Sequence, residues 1–518
     1  MFRSQGHTHH RFKRSNTPER AALSESVSHK IKTQPSVIKN LSKSASSALH
    51  PGAAVLLVLL QLDGPFIVNA EASVGTGAQG RVYAWGRAYK LGINETSTTS
   101  KQKVPALIHD PANPSAVWPQ YFISVGSDSQ SGTTCGVTSS GAGYCWGSNG
   151  SGQLGTGTVG NRSYVPVAIG GGHTWKMIAP GSSHVCGIRT DDVAMCWGSN
   201  SDGQLGDGTT NNSATPVAVS GGHSFASIDG GGANTCGITT AGLLFCWGSN
   251  HVYQIGNNVT NQVDQLTPTR VHDPDSAANN WNKAILKVSV GGHFACAIDE
   301  DNRGYCWGNS YDNATGTGDG SYPKVPKRIH KPNGSANWDA TFIDISAGMD
   351  HTCAIRSSGE ARCWGTELYG QLGNGGSANQ SEKFPVKVSG NKTWVSIATG
   401  HEHTCGINDD NYMFCWGKNL FGQVGNNSTS NSTSPQRVHD PNASSNNWTA
   451  QWSVVAGGYD SAFGIRTGTA QTITFSVQSD IKLTAGPVTL GATASSSLAV
   501  AYASQTSHVC SVTGSTVT

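Results

Sequence analysis

Cys236-Gly-Ile-Thr-Thr-Ala-Gly-Leu-Leu-Phe-Cys246-Trp247-Gly248 is the stretch from which the rest of this chain can be read. Two short apolar strands flank a glycine-bearing turn, the signature of a β-hairpin. The hairpin runs into a Trp-Gly pair, and that pair recurs at Trp85, Trp146, Trp197, Trp247, Trp307, Trp364 and Trp416. A motif returning about every fifty to sixty residues marks an array of supersecondary units. In six of the seven units a Cys sits immediately before the Trp and another lies ten positions earlier. The pairs are Cys135/Cys145, Cys186/Cys196, Cys236/Cys246, Cys296/Cys306, Cys353/Cys363 and Cys405/Cys415.

Outward from the Trp-Gly pair comes a second recurring phrase: Gly152-Gln153-Leu154-Gly155, Gly203-Gln204-Leu205-Gly206, Gly370-Gln371-Leu372-Gly373 and Gly422-Gln423-Val424-Gly425. Its glycines supply positive φ at tight turns, and its Gln amide can pin loop backbone. Each unit then closes on an aromatic residue: Trp118, Trp175, Phe225, Trp281, Trp338, Trp394 and Trp448. With the seven Trp-Gly residues and Trp452, these account for all 14 Trp, so tryptophan here reads as a repeating packing element. Long linkers carry phrases such as Ile108-His109-Asp110-Pro111 and Val271-His272-Asp273-Pro274. Copies on different units would lie far apart, so turn chemistry explains them better than a metal or acid–base site.

These residues resemble the regulator-of-chromosome-condensation repeat family. Asp350-His351-Thr352-Cys353-Ala354-Ile355, Glu402-His403-Thr404-Cys405-Gly406-Ile407 and Tyr144-Cys145-Trp146-Gly147-Ser148-Asn149 carry the likeness, which extends over residues 78–468. The resemblance implies an all-β, seven-bladed propeller with four-stranded blades. Ring closure follows from the residues themselves. Phe463 occupies the first Cys position in Gly457-Gly458-Tyr459-Asp460-Ser461-Ala462-Phe463-Gly464-Ile465, and Ala84 occupies the second in Tyr83-Ala84-Trp85-Gly86. Both cysteines vanish from the same composite unit. The two positions are therefore expected to face each other where the chain ends meet, which also removes an exposed sheet edge.

Directly opposed residues of an antiparallel pair lie about 4.5–5.5 Å apart, within disulfide reach. Six within-blade disulfides are thus expected in an oxidising compartment. Spacing of ten, without a closely spaced Cys pair, does not suit a zinc site. Cys510 is left over, free or paired to another chain.

The ends of the chain differ from its middle. Residues 1–70 carry scattered Arg and Lys, the apolar run Ala53–Leu60 and small residues at Val68-Asn69-Ala70, which reads as a basic leader with a secretory signal cleaved before Glu71. Residues 469–518 are rich in Ser, Thr and Ala with alternating patterning, like part of an immunoglobulin-like β module. Charged residues make up only 13% of the chain and the formal net charge is +2, which gives no general attraction to nucleic acid. No span is expected to cross a membrane once the signal is removed.

No catalytic constellation stands out. Gly75-Thr76-Gly77-Ala78-Gln79-Gly80 fits a dinucleotide fingerprint only by letter, lacking the preceding strand and following helix. His401-Glu402-His403 lacks zinc-protease spacing. No cofactor and no metal are expected. The function expected is non-enzymatic: a secreted or surface-exposed, monomeric propeller binding a protein partner of unknown identity. Guanine-nucleotide exchange on a small GTPase, the activity the resemblance brings with it, is the alternative. Candidate contacts are Ser127, Asp128, Ser129 and Gln130, in a loop longer than its counterpart Gly181-Ser182-Ser183-His184.

Overall fold

In the computed structural model, residues 80–467 are described throughout except at 277–278, 311, 319, 321, 379–380 and 441–450. The leader expected over 1–70 and the module expected over 469–518 fall outside the described residues apart from short strands, and Cys510 falls outside them too. Among these strands, Leu56–Leu60 pairs with Ile67–Glu71 in an antiparallel ribbon.

The described part is a ring of seven four-stranded antiparallel sheets. Blade 1 comprises Phe122–Ser127, Thr133–Thr138, Gly143–Gly147 and Ser163–Ala168, in that order from the axis outward. Blades 2 to 6 repeat this order, with inner strands Trp175–Pro180, Phe225–Gly230, Ile285–Val290, Phe342–Ala347 and Trp394–Thr399. Blade 7 takes Gln451–Gly457 and Ser461–Thr467 from one end of the chain and Arg81–Arg87 and Lys101–Leu107 from the other. Within it, Ala84 lies directly opposite Phe463. The expected closure is therefore the observed one.

Local chemistry explains why each unit folds as it does. The turn between second and third strands needs one residue in the left-handed region, and Gly141, Gly242 and Gly359 supply it, with Asp192, Asn302 and Asn411 in the other three blades. These are the residue types that enter that region most easily. The two Cys of each hairpin are register partners: Cys135↔Cys145, Cys186↔Cys196, Cys236↔Cys246, Cys296↔Cys306, Cys353↔Cys363 and Cys405↔Cys415. Each of these six pairs is disulfide-bonded, with Cα–Cα separations of 4.0–4.1 Å. The separation falls just below the roughly 4.5 Å of the closely spaced pairs in an antiparallel ladder.

The core lies between blades. In one such layer Cys236, Ile238, Leu244 and Cys246 of blade 3 pack on Trp281, Ile285, Val288 and Trp307. The seven Trp-Gly indoles are fully buried. Six of them donate to the backbone carbonyl of the residue at the Gln position of the preceding blade: Trp197 to Gln153, Trp247 to Gln204, Trp307 to Gln254, Trp364 to Ala314, Trp416 to Gln371 and Trp85 to Gln423, at 2.8–3.0 Å. A Cβ on Gly206 would come within 2.6 Å of the Trp247 Nε1, so this glycine makes room for the incoming indole. The recurring Gly-Gln-Leu-Gly phrase is thus a docking groove for the next blade.

The aromatic residues closing each unit are not equivalent, as the repeat pattern alone would have them. Trp175, Phe225 and Trp394 open their inner strands, whereas Trp118, Trp281 and Trp338 precede strands that open on Phe122, Ile285 and Phe342. Long linkers add a turn before the strand, and the extra tryptophan covers its start: Trp118 meets Phe122, and Trp338 meets Phe342, edge-on at 5.4 Å. In blade 7 Trp452 takes the inner-strand role, while Trp448 lies outside the described residues.

Candidate partner-binding face

Strand direction separates two faces of the ring. The His-Asp-Pro linkers lie on one. Here Asp110 accepts the backbone N–H of Ala112 at 2.8 Å, and Asp273 that of Asp275 at 2.8 Å, the side-chain-capped turns expected of them. His109, His272 and His330 sit on separate blades.

The opposite face carries the inner turns and the Gln-bearing loops. The Gln amides pin those loops: Gln153 accepts Ser151 N–H, Gln204 that of Asp202, Gln371 that of Tyr369 and Gln423 that of Phe421, at 2.8–2.9 Å. An Asn holds the loop base, as Asn200 accepts Leu205 N–H and Asn419 accepts Val424 N–H. In blade 5 Glu367 takes this role toward Leu372. Burial raises its carboxyl to about 7.

With their bases fixed, the loop tips are free to vary. Blades 1 and 2 present Gly150-Ser151 and Ser201-Asp202, whereas blades 5 and 6 present Leu368-Tyr369 and Leu420-Phe421 at the same place. Leu368 and Leu420 are 49% and 51% exposed. Cations and acids interleave with these rings. The Arg87 guanidinium lies 3.7 Å over Phe421 and its Nε is 3.4 Å from Asp460. Arg162 lies 4.9 Å over Tyr89, Lys90 lies 4.2 Å over Tyr459, and Lys418 lies 5.1 Å over Tyr369. Burial opposes ionisation of Glu402, but hydrogen bonds from His401 and Lys418 outweigh it and hold the carboxyl at about 2. Burial lowers the pKa of Lys90.

The loop Ser127–Gln130 is on this face, beside blade 7, and it is a built element. The Asp128 carboxylate is buried and accepts the backbone N–H groups of Gln130, Ser131, Gly132 and Thr133. Burial raises the Asp128 pKa against the pull of those four donors. Ser131 donates to the Ser182 carbonyl of blade 2. Gln130 reaches farther, its amide nitrogen lying where Cβ atoms on Gly232 and Gly292 would approach to 3.0 and 3.3 Å. Those glycines belong to blades 3 and 4, so the loop extends over the axis of the ring. Ser127 bonds Thr134 at 3.0 Å, and Ser129 is half-buried. Loop length pointed to this segment; the surface on blades 5 to 7 had no such signal, because its members come from four loops.

The twelve bridged cysteines take no part in this face. Cys135, Cys145, Cys186, Cys196, Cys236, Cys246, Cys296, Cys306, Cys353, Cys363, Cys405 and Cys415 are all fully buried in the layers between blades. Bonded to one another, they offer neither a thiolate nucleophile nor a metal ligand.

His184, His351 and His403, all two positions before a Cys, are buried beneath this face. His184 and His351 bond Thr235 and Thr404 of the next blade at 2.9 Å. Burial drives their pKa down, to about 4 for His184 and about 3 for His351 and His403, so all three are neutral. His184 and His351 thus act as inter-blade struts.

Family models described as Regulator of chromosome condensation (RCC1) repeat match residues 140–188, 195–238, 241–298, 358–407 and 410–464, and in a second form 178–204, 342–371 and 394–423. The chain belongs to this repeat family. It is 28% identical over 284 residues to the ultraviolet-B receptor UVR8 of Arabidopsis thaliana, a match covering 54% of this chain and 62% of the receptor. It is 36% identical over 87 residues to the X-linked retinitis pigmentosa GTPase regulator homolog of Caenorhabditis elegans, covering 17% of this chain and 6% of that one. Less than two thirds of each relative's length is thus matched. Among solved structures, Prp20p of Saccharomyces cerevisiae superposes with a TM-score of 0.63 at 18% identity over 76% of this chain and 92% of its own. Human WBSCR16 gives 0.61 at 18% identity, over 74% and 99%. Identities this low speak for the fold alone. Among the described residues, no helix is long and apolar enough to cross a membrane.

Proposed function

We propose that this chain is a non-catalytic protein-binding scaffold, exported from the cell, that engages its partner through the loop tips of blades 5 to 7 and the adjoining Ser127–Gln130 loop. The observation that carries the reading is the contrast between loop tips. Where blades 1 and 2 end in Gly, Ser and Asp, blades 5 and 6 hold out Leu368 and Leu420 beside Tyr369 and Phe421, with Arg87 stacked on the Phe421 ring. Aromatic residues and Arg over a rigid support are the side chains that dominate protein interfaces. The leader and the small residues ahead of Glu71 support export, and amino-terminal sequencing of exported protein should begin near Glu71.

The test is a crosslinking capture with the exported protein, followed by quantitative binding to the captured partner. Leu368→Asp together with Leu420→Asp should weaken binding at least tenfold with an unchanged melting temperature, while Ser201→Asp on blade 2 should leave binding intact. Equal binding by the parent and both variants would remove the assignment. Prp20p is described as binding Gsp1p and histones. If the captured partner is a small GTPase and this chain accelerates its nucleotide release, the exchange-factor alternative replaces the scaffold reading.

A further inference from the structure

Blades 2 and 3 hold a second group of side chains on the same face, separate from the aromatic surface. The loop of blade 2 contributes Asp202, and the loop of blade 3 contributes His251 and Asp264. Nε2 of His251 lies 3.8 Å from Oδ1 of Asp202 and 3.7 Å from Oδ1 of Asp264, and all three atoms fall within 4.8 Å of one another. A tetrahedral zinc ion with bonds of about 2.0–2.2 Å to N and O holds its ligand atoms about 3.4 Å apart. The two His–Asp distances therefore need to contract by only a few tenths of an ångström.

The fold does not require this chemistry. Asp264 accepts the backbone N–H of Asn250 at 3.0 Å, and in blades 2 and 6 the same bond is made by neutral Asn212 and Asn431, to Asn200 and Asn419. The charge on Asp264 is thus surplus to its structural task. At the position of Asp202 the other loops carry Ser151, Val252, Tyr369 and Phe421, with an acid again only at Asp312 of blade 4. At the position of His251 they carry Gly150, Ser201, Tyr311, Leu368 and Leu420, none of them a metal-binding imidazole. Among the described residues, three donor side chains converge only at this junction. Two carboxylates are held close together, and among the described residues the only basic group within ion-pair range of either is His251. Asp202 and Asp264 remain partly open to solvent, at 27% and 23% exposure, so an ion can enter and keep water ligands. Two carboxylates and an imidazole form a mixed N/O donor set suited to zinc and its first-row neighbours, and poorly suited to calcium, which takes oxygen.

We propose that Asp202, His251 and Asp264 form a binding site for a divalent transition-metal cation, with zinc as the reference ion, bridging the loops of blades 2 and 3. The bound ion has three protein ligands and an open position. It also ties two neighbouring loop tips that otherwise share no covalent link.

The experiment is zinc titration by calorimetry of the chelator-treated, folded chain, against Asp264→Asn and His251→Ala. Asp264→Asn keeps the hydrogen bond that Asn makes in blades 2 and 6, so its metal-free melting temperature should match the parent. The parent should bind one more equivalent of zinc than either variant, and its melting temperature should rise saturably with zinc by more than theirs. Calcium at the same concentration should have no such effect. Equal stoichiometry in all three proteins would overturn the site, as would an identical zinc-dependent shift in the parent and Asp264→Asn.

Discussion

Blade 7 and the other six blades solve the same packing problem by different means. In blades 1 to 6 the two hairpin strands are neighbours in sequence and a disulfide joins them at the core layer. In blade 7 the corresponding strands come from opposite ends of the described ring, and Ala84 faces Phe463 where the cysteines would be. The small and large side chains fill the space of a disulfide with hydrocarbon. Phe463 is fully buried and meets Trp146 of blade 1 edge-on at 6.2 Å, within a layer that includes Val82, Ile108 and Phe122. The contrast teaches that the disulfides are local reinforcements, whereas the integrity of the ring rests on apolar packing at one seam.

The largest effect should come from that seam. Phe463→Ala removes a fully buried aromatic ring beside a residue too small to compensate, which costs about 3–5 kcal/mol. Chemical denaturation should show this loss as an earlier unfolding midpoint. A loss no greater than that for a surface phenylalanine would erase the distinction between seam and blade.

Next comes a disulfide. Cys236→Ala with Cys246→Ala opens a short loop in blade 3 and should cost about 1–3 kcal/mol, since the entropic gain from a crosslink grows with loop length. The ring should stay closed and the fold intact. Collapse of the whole propeller would show that the bridges carry more than local reinforcement.

A smaller effect is expected as pH dependence, and it belongs to the disulfide-bearing blades. Glu367 has its folded pKa raised by burial to about 7, above the unfolded value of about 4.5. Its contribution is therefore complete below about 4.5 and is lost as pH rises through 7. His184, His351 and His403 have lowered pKa values, so their contribution is complete above about 6.5 and is lost as pH falls toward 4 and 3. Glu367→Asn installs the residue that blades 2 and 6 use and should flatten only the decline in melting temperature between about pH 4.5 and 7. Blade 7 has Ser461 at the histidine position and adds nothing to the acid limb.

The smallest effect again separates the seam from the rest. Trp247 donates to Gln204 at 3.0 Å, whereas Trp146, which follows blade 7, has a buried Nε1 without a hydrogen-bond partner. The loop before it is shorter, running Arg87-Ala88-Tyr89-Lys90-Leu91-Gly92. Trp247→Phe should thus cost about 1 kcal/mol more than Trp146→Phe, the net worth of one buried hydrogen bond. Equal costs would mean that the indole bond contributes nothing to blade docking.

The seam was legible in the sequence because two cysteines disappear together, at Ala84 and Phe463, from one composite unit. The hairpins were legible because turn residues and Cys spacing are local. The indole-to-carbonyl bonds were not, since a backbone acceptor leaves no residue signature: Ala314 serves as well as Gln371. Nor were the two roles of the closing tryptophans, which depend on linker length. The Ser127–Gln130 loop announced itself by its length, but its course over the axis depends on Asp128 gathering four amides, a geometry that spacing does not encode. The surface of Tyr89, Leu368, Leu420 and Phe421, and the group at Asp202, His251 and Asp264, assemble only when neighbouring blades are placed side by side.

The most direct test of ring closure at this seam is to install the missing bridge. With Ala84→Cys and Phe463→Cys combined, the register of the hairpin strands puts the new thiols where every other blade carries its disulfide. Non-reducing peptide mapping of the oxidised, folded protein should show an 84–463 crosslink alongside the six native pairs, joining peptides from opposite ends of the ring. Six native pairs with both new thiols free would show that these strands are not neighbours, and would contradict the closure on which the account rests.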